Sequence, residues 1–413
     1  GSLGMEVEWT ASELGDLTIN FDGKRKPVKE SDRRPGPYPY YGASGIVDHV
    51  DDFLFDGDYL LIAEDGENLR TRQTPIAFMA KGKFWVNNHA HIVLGNDKAD
   101  TRFLMYALQN ADISGYLTGA VMPKLTQGNL NQIEISHPCI IEQRAIAHIL
   151  GTLDDKIELN RRMSETFESM ARALFKSWFI DFDPVRAKMA GRETGLPPEV
   201  ADLFPDRLVE SESGALPAGW SVQSIYSISD VVYGAPFASN QFNTNGVGDR
   251  LIRIRDLASE MPSIWTTEEH PKGYRVRPGD IVVGMDGEFR AYLWGGIAAL
   301  LNQRVCVFKP RNSYSAAFVR NSIIPLLNNV EATEIATTVI HLGKTDIDRF
   351  RVIVPESELL AAFNWIAQPW YVRIVEVKQE SRVLADLRDT LLPKLITGEL
   401  RIRDAEKFVE SVA

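Results

Sequence analysis

Between Glu142 and Trp178, ten residues recur at spacings of 4, 3, 4, 3, 4, 3, 4, 3 and 4: Ile146, Leu150, Leu153, Ile157, Asn160, Ser164, Phe167, Ala171, Leu174 and Trp178. This alternation is the seam of a heptad repeat, and a helix carrying one must lay it against another helix. No Pro interrupts the stretch, and no Gly after Gly151. At 1.5 Å per residue it predicts a rod of roughly 55 Å. Whatever fold the chain adopts has to supply a partner for that seam. Asn160 is a polar seam position, which serves either as a register device or as a tolerated polar residue.

With 413 residues, 44% of them apolar, the chain is long enough for two or more cores. No apolar run reaches membrane-spanning length, and no secretory leader is visible. Gly1 to Gly4 read as a tag remnant ahead of a start at Met5. Cys139 and Cys306 lie far apart beside apolar residues, which points to buried free thiols and a reducing, cytoplasmic setting. The net charge of −11 argues against a simple basic nucleic-acid binder. It leaves open a local positive field at a groove.

From about Trp9 to Leu94 the pattern is short strands and turns. Lys24 to Arg34 is a basic loop, Tyr59 to Ala63 a buried strand, and Phe84 to Leu94 one or two strands. Thr101 to Gln109 reads as a short helix and Ile133 to Ile135 as a strand before the long helix. Residues 183–219 hold five Pro and four Gly, which rules out a continuous element and marks a linker. A second β-rich region opens at Trp220, and a second long helix runs from Ser357 to about Thr397.

A shift of about 217 residues superposes the two halves. The seam then falls on Phe363, Ala367, Trp370, Ile374, Val377, Ser381, Leu384, Arg388, Leu391 and Leu395, eight of them apolar. With small gaps, Gly57-Asp58-Tyr59-Leu60 matches Gly279-Asp280-Ile281-Val282, Asp65-Gly66-Glu67 matches Asp286-Gly287-Glu288, Asn88-His89 matches Asn302-Gln303, and Val121-Met122 matches Val339-Ile340. The expected fold is α+β: two β-rich domains (5–140 and 220–355) joined by two long helices (141–182 and 356–413) packed as an antiparallel coiled coil, with linker 183–219 and an internal pseudo-two-fold repeat. Pro369 lies inside the second helix and is expected to kink or interrupt it.

No catalytic constellation emerges. The Pro-Pro pair, Pro197-Pro198, lacks the polar and aromatic flanks of an adenine methyltransferase motif. Gly343-Lys344-Thr345 lacks the first glycine of a phosphate loop, with Thr338 in its place. Glu376-Val377-Lys378 sits in a helix seam and reads as a solvated charge pair. His89 and His91, two apart on an expected strand, should share one face, with no Cys, Asp or Glu set nearby to complete a metal site. Two similar domains on a rigid spacer instead suit two half-sites of a DNA duplex. The candidate DNA-binding residues are Lys24, Arg25, Lys26, Tyr41, Ser44, Arg70, Arg72, Asn87, Asn88, His89 and Lys124 in the first domain. In the second they are Arg250, Arg253, Arg255, Arg290, Asn302, Gln303, Arg304 and Lys344. Arg pairs bidentately with guanine and Asn or Gln with adenine, whereas other cations only neutralise phosphates.

Tyr40-Tyr41-Gly42-Ala43-Ser44-Gly45-Ile46 and Asp56 to Gly66 resemble the first target-recognition domain of type I restriction–modification specificity subunits. So do Glu142-Gln143-Arg144-Ala145-Ile146-Ala147, Leu150 to Glu158, Leu216-Pro217-Ala218-Gly219-Trp220 and Leu391 to Leu400. The resemblance covers nearly the whole chain. It implies that each β-rich domain reads one half of a bipartite asymmetric DNA site, and that the helices hold the half-sites apart and dock two modification subunits. The partners would carry the cofactors: S-adenosylmethionine in the adenine-N6-methylating modification subunit, ATP and Mg in the restriction subunit that completes the nuclease. This chain would be non-catalytic. Phe175, Trp178 and Phe179, flanking the seam, are the expected partner-docking residues, exposed when the chain is alone. The alternatives are a non-catalytic helical scaffold whose two modules bind protein partners, and an enzyme whose site is not visible in the sequence.

Overall fold

The computed structural model describes residues 8–212, 214–334 and 340–410. The start at Met5 and the Val339 position of the repeat lie outside them. The chain divides into two compact units, Gly1–Ile157 with Val383–Ala413, and Glu158–Arg382. The two long helices, Ile140–Phe179 and Ser357–Ile396, are 40 residues each, and both contribute to both units.

In the first unit the ribbon Thr10–Glu13 pairs antiparallel with Glu134–His137 and ties the start of the β-rich region to its end. A four-stranded sheet follows in the order Thr18–Asn20, Ala90–Gly95, Tyr59–Ala63, Ala77–Ala80. Its strand Tyr59–Ala63 is covered on both faces, which explains the unbroken apolar run. A second sheet places Pro35–Gly42 parallel to Lys83–Val86, with Tyr40 opposite Trp85. The helix Thr101–Asn110 starts at Asp100, whose carboxylate accepts from the backbone N–H groups of Arg102 and Phe103. Leu60, Ile62, Phe103 and Leu104 share one core with Ile146, Leu150 and Leu153 of one long helix and Leu387, Leu391 and Leu395 of the other.

The second unit repeats this plan. Ser221–Ser224 pairs with Arg351–Val354. The four-stranded sheet runs Ser229–Tyr233, Val305–Pro310, Ile281–Gly284, Ala291–Leu293. The second sheet again has one parallel pair, Leu251 opposite Leu300. Register supports the repeat residue by residue. Leu60 faces Val93 in the first unit as Val282 faces Val307 in the second, and Leu61 faces Ile92 as Val283 faces Cys306.

In each unit the two helices lie antiparallel. Asp154 meets Arg388 in the first, while Asn160 meets Ser381 and Trp178 meets Phe363 in the second. Seven of the ten central-helix seam positions are buried, and the other three are half-buried. Side chains tie each β-rich domain to its stretch of helix. Arg102 chelates Asp155 through two 2.9 Å bonds, and the hydroxyl of Tyr106 donates to Asp154. Gly151 allows this approach, because a Cβ there would stand 2.7 Å from the Arg102 guanidinium. In the second unit Arg320 reaches Glu168 at 3.2 Å, and Lys378 reaches Glu260 at 2.6 Å and the Leu293 carbonyl at 2.8 Å.

Four expectations are corrected. The second helix runs unbroken through Pro369. That residue is exposed, as is Trp365 one turn earlier, so the missing backbone donor falls on the outer side of the helix. Phe175, Trp178 and Phe179 are not exposed; they are at most 6% accessible and interlock with Phe318, Phe363 and Trp220. Cys139 is exposed, and only Cys306 is buried, where loss of hydration pushes its thiol up to about 12. His89 and His91 do not share a face: His89 lies in the turn before the strand, where the period of two does not apply, and His91 is buried. The segment 183–219 contains the helices Asp183–Met189 and Pro198–Ala201 and the hairpin Leu208–Ser211 with Gly214–Pro217. Val185, Phe204 and Leu216 within it are part of the second core.

Candidate nucleic-acid interface

The candidate residues separate into those turned inward and those presented to solvent. Arg25 turns inward: its guanidinium donates to Glu64 at 2.6 Å and to the Ala90 carbonyl at 2.8 Å. Arg72 adopts φ of 51° and donates to the carbonyls of Gln109 and Ala111, closing the C-terminus of the helix Thr101–Asn110. Arg253 is held by Asp256. Asn87 and Asn302 are buried; the Asn87 side-chain oxygen accepts from the His89 backbone, and that of Asn302 has no partner among the described residues. Tyr41 packs edge-on against Phe84, and burial raises its hydroxyl above the usual range.

Solvent-facing residues of the first unit are Lys24, Lys26, Ser44, Arg70, Asn88, His89 and Lys124. Arg70 is steadied by the Gly119 carbonyl at 2.8 Å. In the second unit they are Arg255, Arg290, Gln303, Arg304 and Lys344; Arg290 pairs with Glu288 at 2.7 Å, and Lys344 with Asp348. Arg250 is half-buried, its guanidinium 4.7 Å over the Trp265 ring and bonded to the Pro262 carbonyl. A basic residue missed in the sequence is Arg33, stacked 4.5 Å over Tyr40 and paired with Asp48 at 3.1 Å. Two acids missed are Asp65 and Asp286. Both were visible in the repeat, but a search for cations passes over them.

A buried polar cluster corrects the expectation that His91 has no carboxylates near it. Asp22, Glu64 and His91 come within 4.8 Å of one another, from positions too distant in sequence to be read as a set. His91 lies 2.6 Å from Asp22 through Nδ1 and 2.7 Å from the Leu125 carbonyl through Nε2. Both ring nitrogens are thus engaged, and the Arg25 guanidinium already occupies the place of a cation beside the carboxylates. The donor set suits an ion-pair network rather than a metal. Burial alone would raise the Asp22 carboxyl; the hydrogen bond and charge of His91 outweigh it and hold the group below its usual range. In the second unit the ladder position of His91 is taken by Val305, fully buried and apolar. One half of the repeat therefore fills this place with ions and the other with hydrocarbon, as expected of a structural cluster.

Residues 6–168 match the family model described as the type I restriction modification DNA specificity domain. Over 96% of its length the chain is 26% identical to the type I restriction enzyme MjaIX specificity subunit of Methanocaldococcus jannaschii, covering 94% of that protein. It is 23% identical to the HindI specificity subunit of Haemophilus influenzae, over 84% of each chain. The crystal structure of a type I restriction-modification system S subunit from M. genitalium superposes with a TM-score of 0.57 at 16% identity, covering 96% of this chain and 98% of that one, and so shares its fold. With one domain inside the family model and relatives aligned across both halves, the chain is similar over nearly its whole length to type I restriction–modification specificity subunits.

Proposed function

We propose that this chain gives a type I restriction–modification complex its DNA sequence specificity, each β-rich domain reading one half of a bipartite asymmetric site. The observation that carries the reading is the duplication itself. Two domains share ladder register, and each is pinned by side chains to a stretch of the same two helices. In this reading the helices set the spacing between the half-sites. Lys24, Lys26, Arg255 and similar exposed cations neutralise phosphates, a sequence-independent contribution. The chain is non-catalytic and holds no cofactor. Modification subunits bring S-adenosylmethionine, and restriction subunits bring ATP and Mg. Docking then falls to apolar helix surface that the chain leaves open in place of Phe175, Trp178 and Phe179: Trp365 (82% accessible) and Val372 on one helix, Leu159 and Met170 on the other. No helix among the described residues is long and apolar enough to cross a membrane.

Co-expression with the cognate modification subunit, followed by mapping of methylated adenines, tests the reading. One bipartite, asymmetric motif is expected. Methylation without such a motif, or none that depends on this chain, would contradict it.

A further inference from the structure

The same polar device stands at matching places in the two units. In the first, Asp65 forms a backbone bridge with Lys124, and its carboxylate holds the His89 ring at 2.8 and 3.0 Å through Nδ1. In the second, the matching Asp286 bridges His341; its carboxylate holds the His341 ring at 2.6 Å and the Arg304 guanidinium at 3.3 Å. His89 and Arg304 come from the matching turn that leads into the central strand, and they are 52% and 57% accessible. Each therefore keeps about half of its side chain in solvent.

Arg304 also sits at φ of 67°, a left-handed conformation that Gly or Asn would adopt at less cost. The other strained cationic position, Arg72, is accounted for by the helix end it closes. Arg304 ends the tight turn between the strands Ala299–Leu301 and Val305–Pro310, and from that turn its guanidinium stands half exposed beside a carboxylate. Strain of this kind collects at sites of recognition.

The pairing with an acid decides between two uses of such a cation. A phosphate contact is served best by a bare charge, as on Lys24 or Arg255, and an adjacent carboxylate weakens it. A base-edge contact needs a donor or acceptor of fixed direction, and a carboxylate on the rear of the ring or guanidinium supplies that. We propose that His89 and Arg304, held by the matching carboxylates Asp65 and Asp286 though one place apart in ladder register, are base-reading residues of the two domains, contacting base edges of a DNA duplex, with those carboxylates as their positioning residues.

The inference rests on the DNA-reading role above, and its test separates the two. The full complex with modification subunits is assembled with wild-type chain, His89→Ala, Asp65→Asn, Arg304→Ala, Asp286→Asn and, as a phosphate control, Lys24→Ala. Methylation motifs are then mapped, and DNA binding is measured against salt. His89→Ala and Asp65→Asn should relax one and the same position of one half-site, with roughly 5- to 150-fold less discrimination there. Arg304→Ala and Asp286→Asn should do so in the other half only. Lys24→Ala should weaken all sequences alike and lower the salt slope by about 1. Unchanged motifs, or a uniform salt-dependent loss from the His89 and Arg304 variants, would overturn the assignment. Asp-to-Asn variants that relax positions other than those of their partners would overturn the positioning role. A wild-type complex with no bipartite motif would overturn the functional reading itself.

Discussion

Asn160 Nδ2 lies 3.2 Å from Ser381 Oγ and 2.7 Å from a Glu380 carboxylate oxygen, inside a mostly apolar seam. Its own side-chain oxygen is buried without a partner among the described residues. An arrangement with one amide atom satisfied and one orphaned fixes register at a cost in stability. Asn160→Leu should therefore leave the thermal midpoint unchanged or raise it, while permitting helix slippage that cross-linking across the seam would detect. A loss above about 2 kcal/mol would show instead that the hydrogen bonds are net stabilising.

Trp178 is 1% accessible and meets Phe179, Phe204 and Phe363 edge-on. Trp178→Ala should destabilise the second unit by about 3–5 kcal/mol, the usual cost of removing a buried aromatic. Denaturant unfolding read by proteolysis within residues 220–355 checks this. A near-neutral result would mean that the residue faces solvent in the free chain.

The buried cluster around Asp22 predicts an acid-sensitive first unit. The carboxyl of Asp22 is held below its unfolded value of about 3.9. Its stabilisation is thus complete above that pH and disappears as pH falls through the lower, folded value. Asp22→Asn should flatten the dependence of stability on pH below about 4. Arg25→Ala leaves Glu64 and Asp22 short of a cation, and it should cost about 3–5 kcal/mol near neutral pH.

Pro369 sits on the exposed side of a continuous helix. Pro369→Ala restores a backbone donor one turn after Trp365, and should stabilise the chain by about 1–3 kcal/mol. Destabilisation would show that the ring itself packs against something the helix requires.

The seam and the repeat were legible in the sequence because they are periodic. Four-three spacing survives substitution of any one residue, and Gly57 with Gly279 or Asp65 with Asp286 mark turns that the backbone demands. The site was legible only as a set of residue types. Lys24 and Arg25 are neighbours in the same basic loop, yet one faces solvent and the other lies under Glu64, a contact across 39 residues that no local pattern encodes. Phe175 and Trp178 looked like a docking edge for the same reason: the residues that cover them, Phe318 and Phe363, are remote in sequence. Pro369 lies on an exposed helix face, and which face it would occupy depends on packing against residues remote in sequence.

The central claim is modularity, and exchange of residues 5–140 for the corresponding domain of a similar specificity subunit tests it most directly. With the cognate modification subunits present, the exchanged chain should methylate a motif in which one half is new and the other half is retained. A motif altered in both halves, or in neither, would contradict the account.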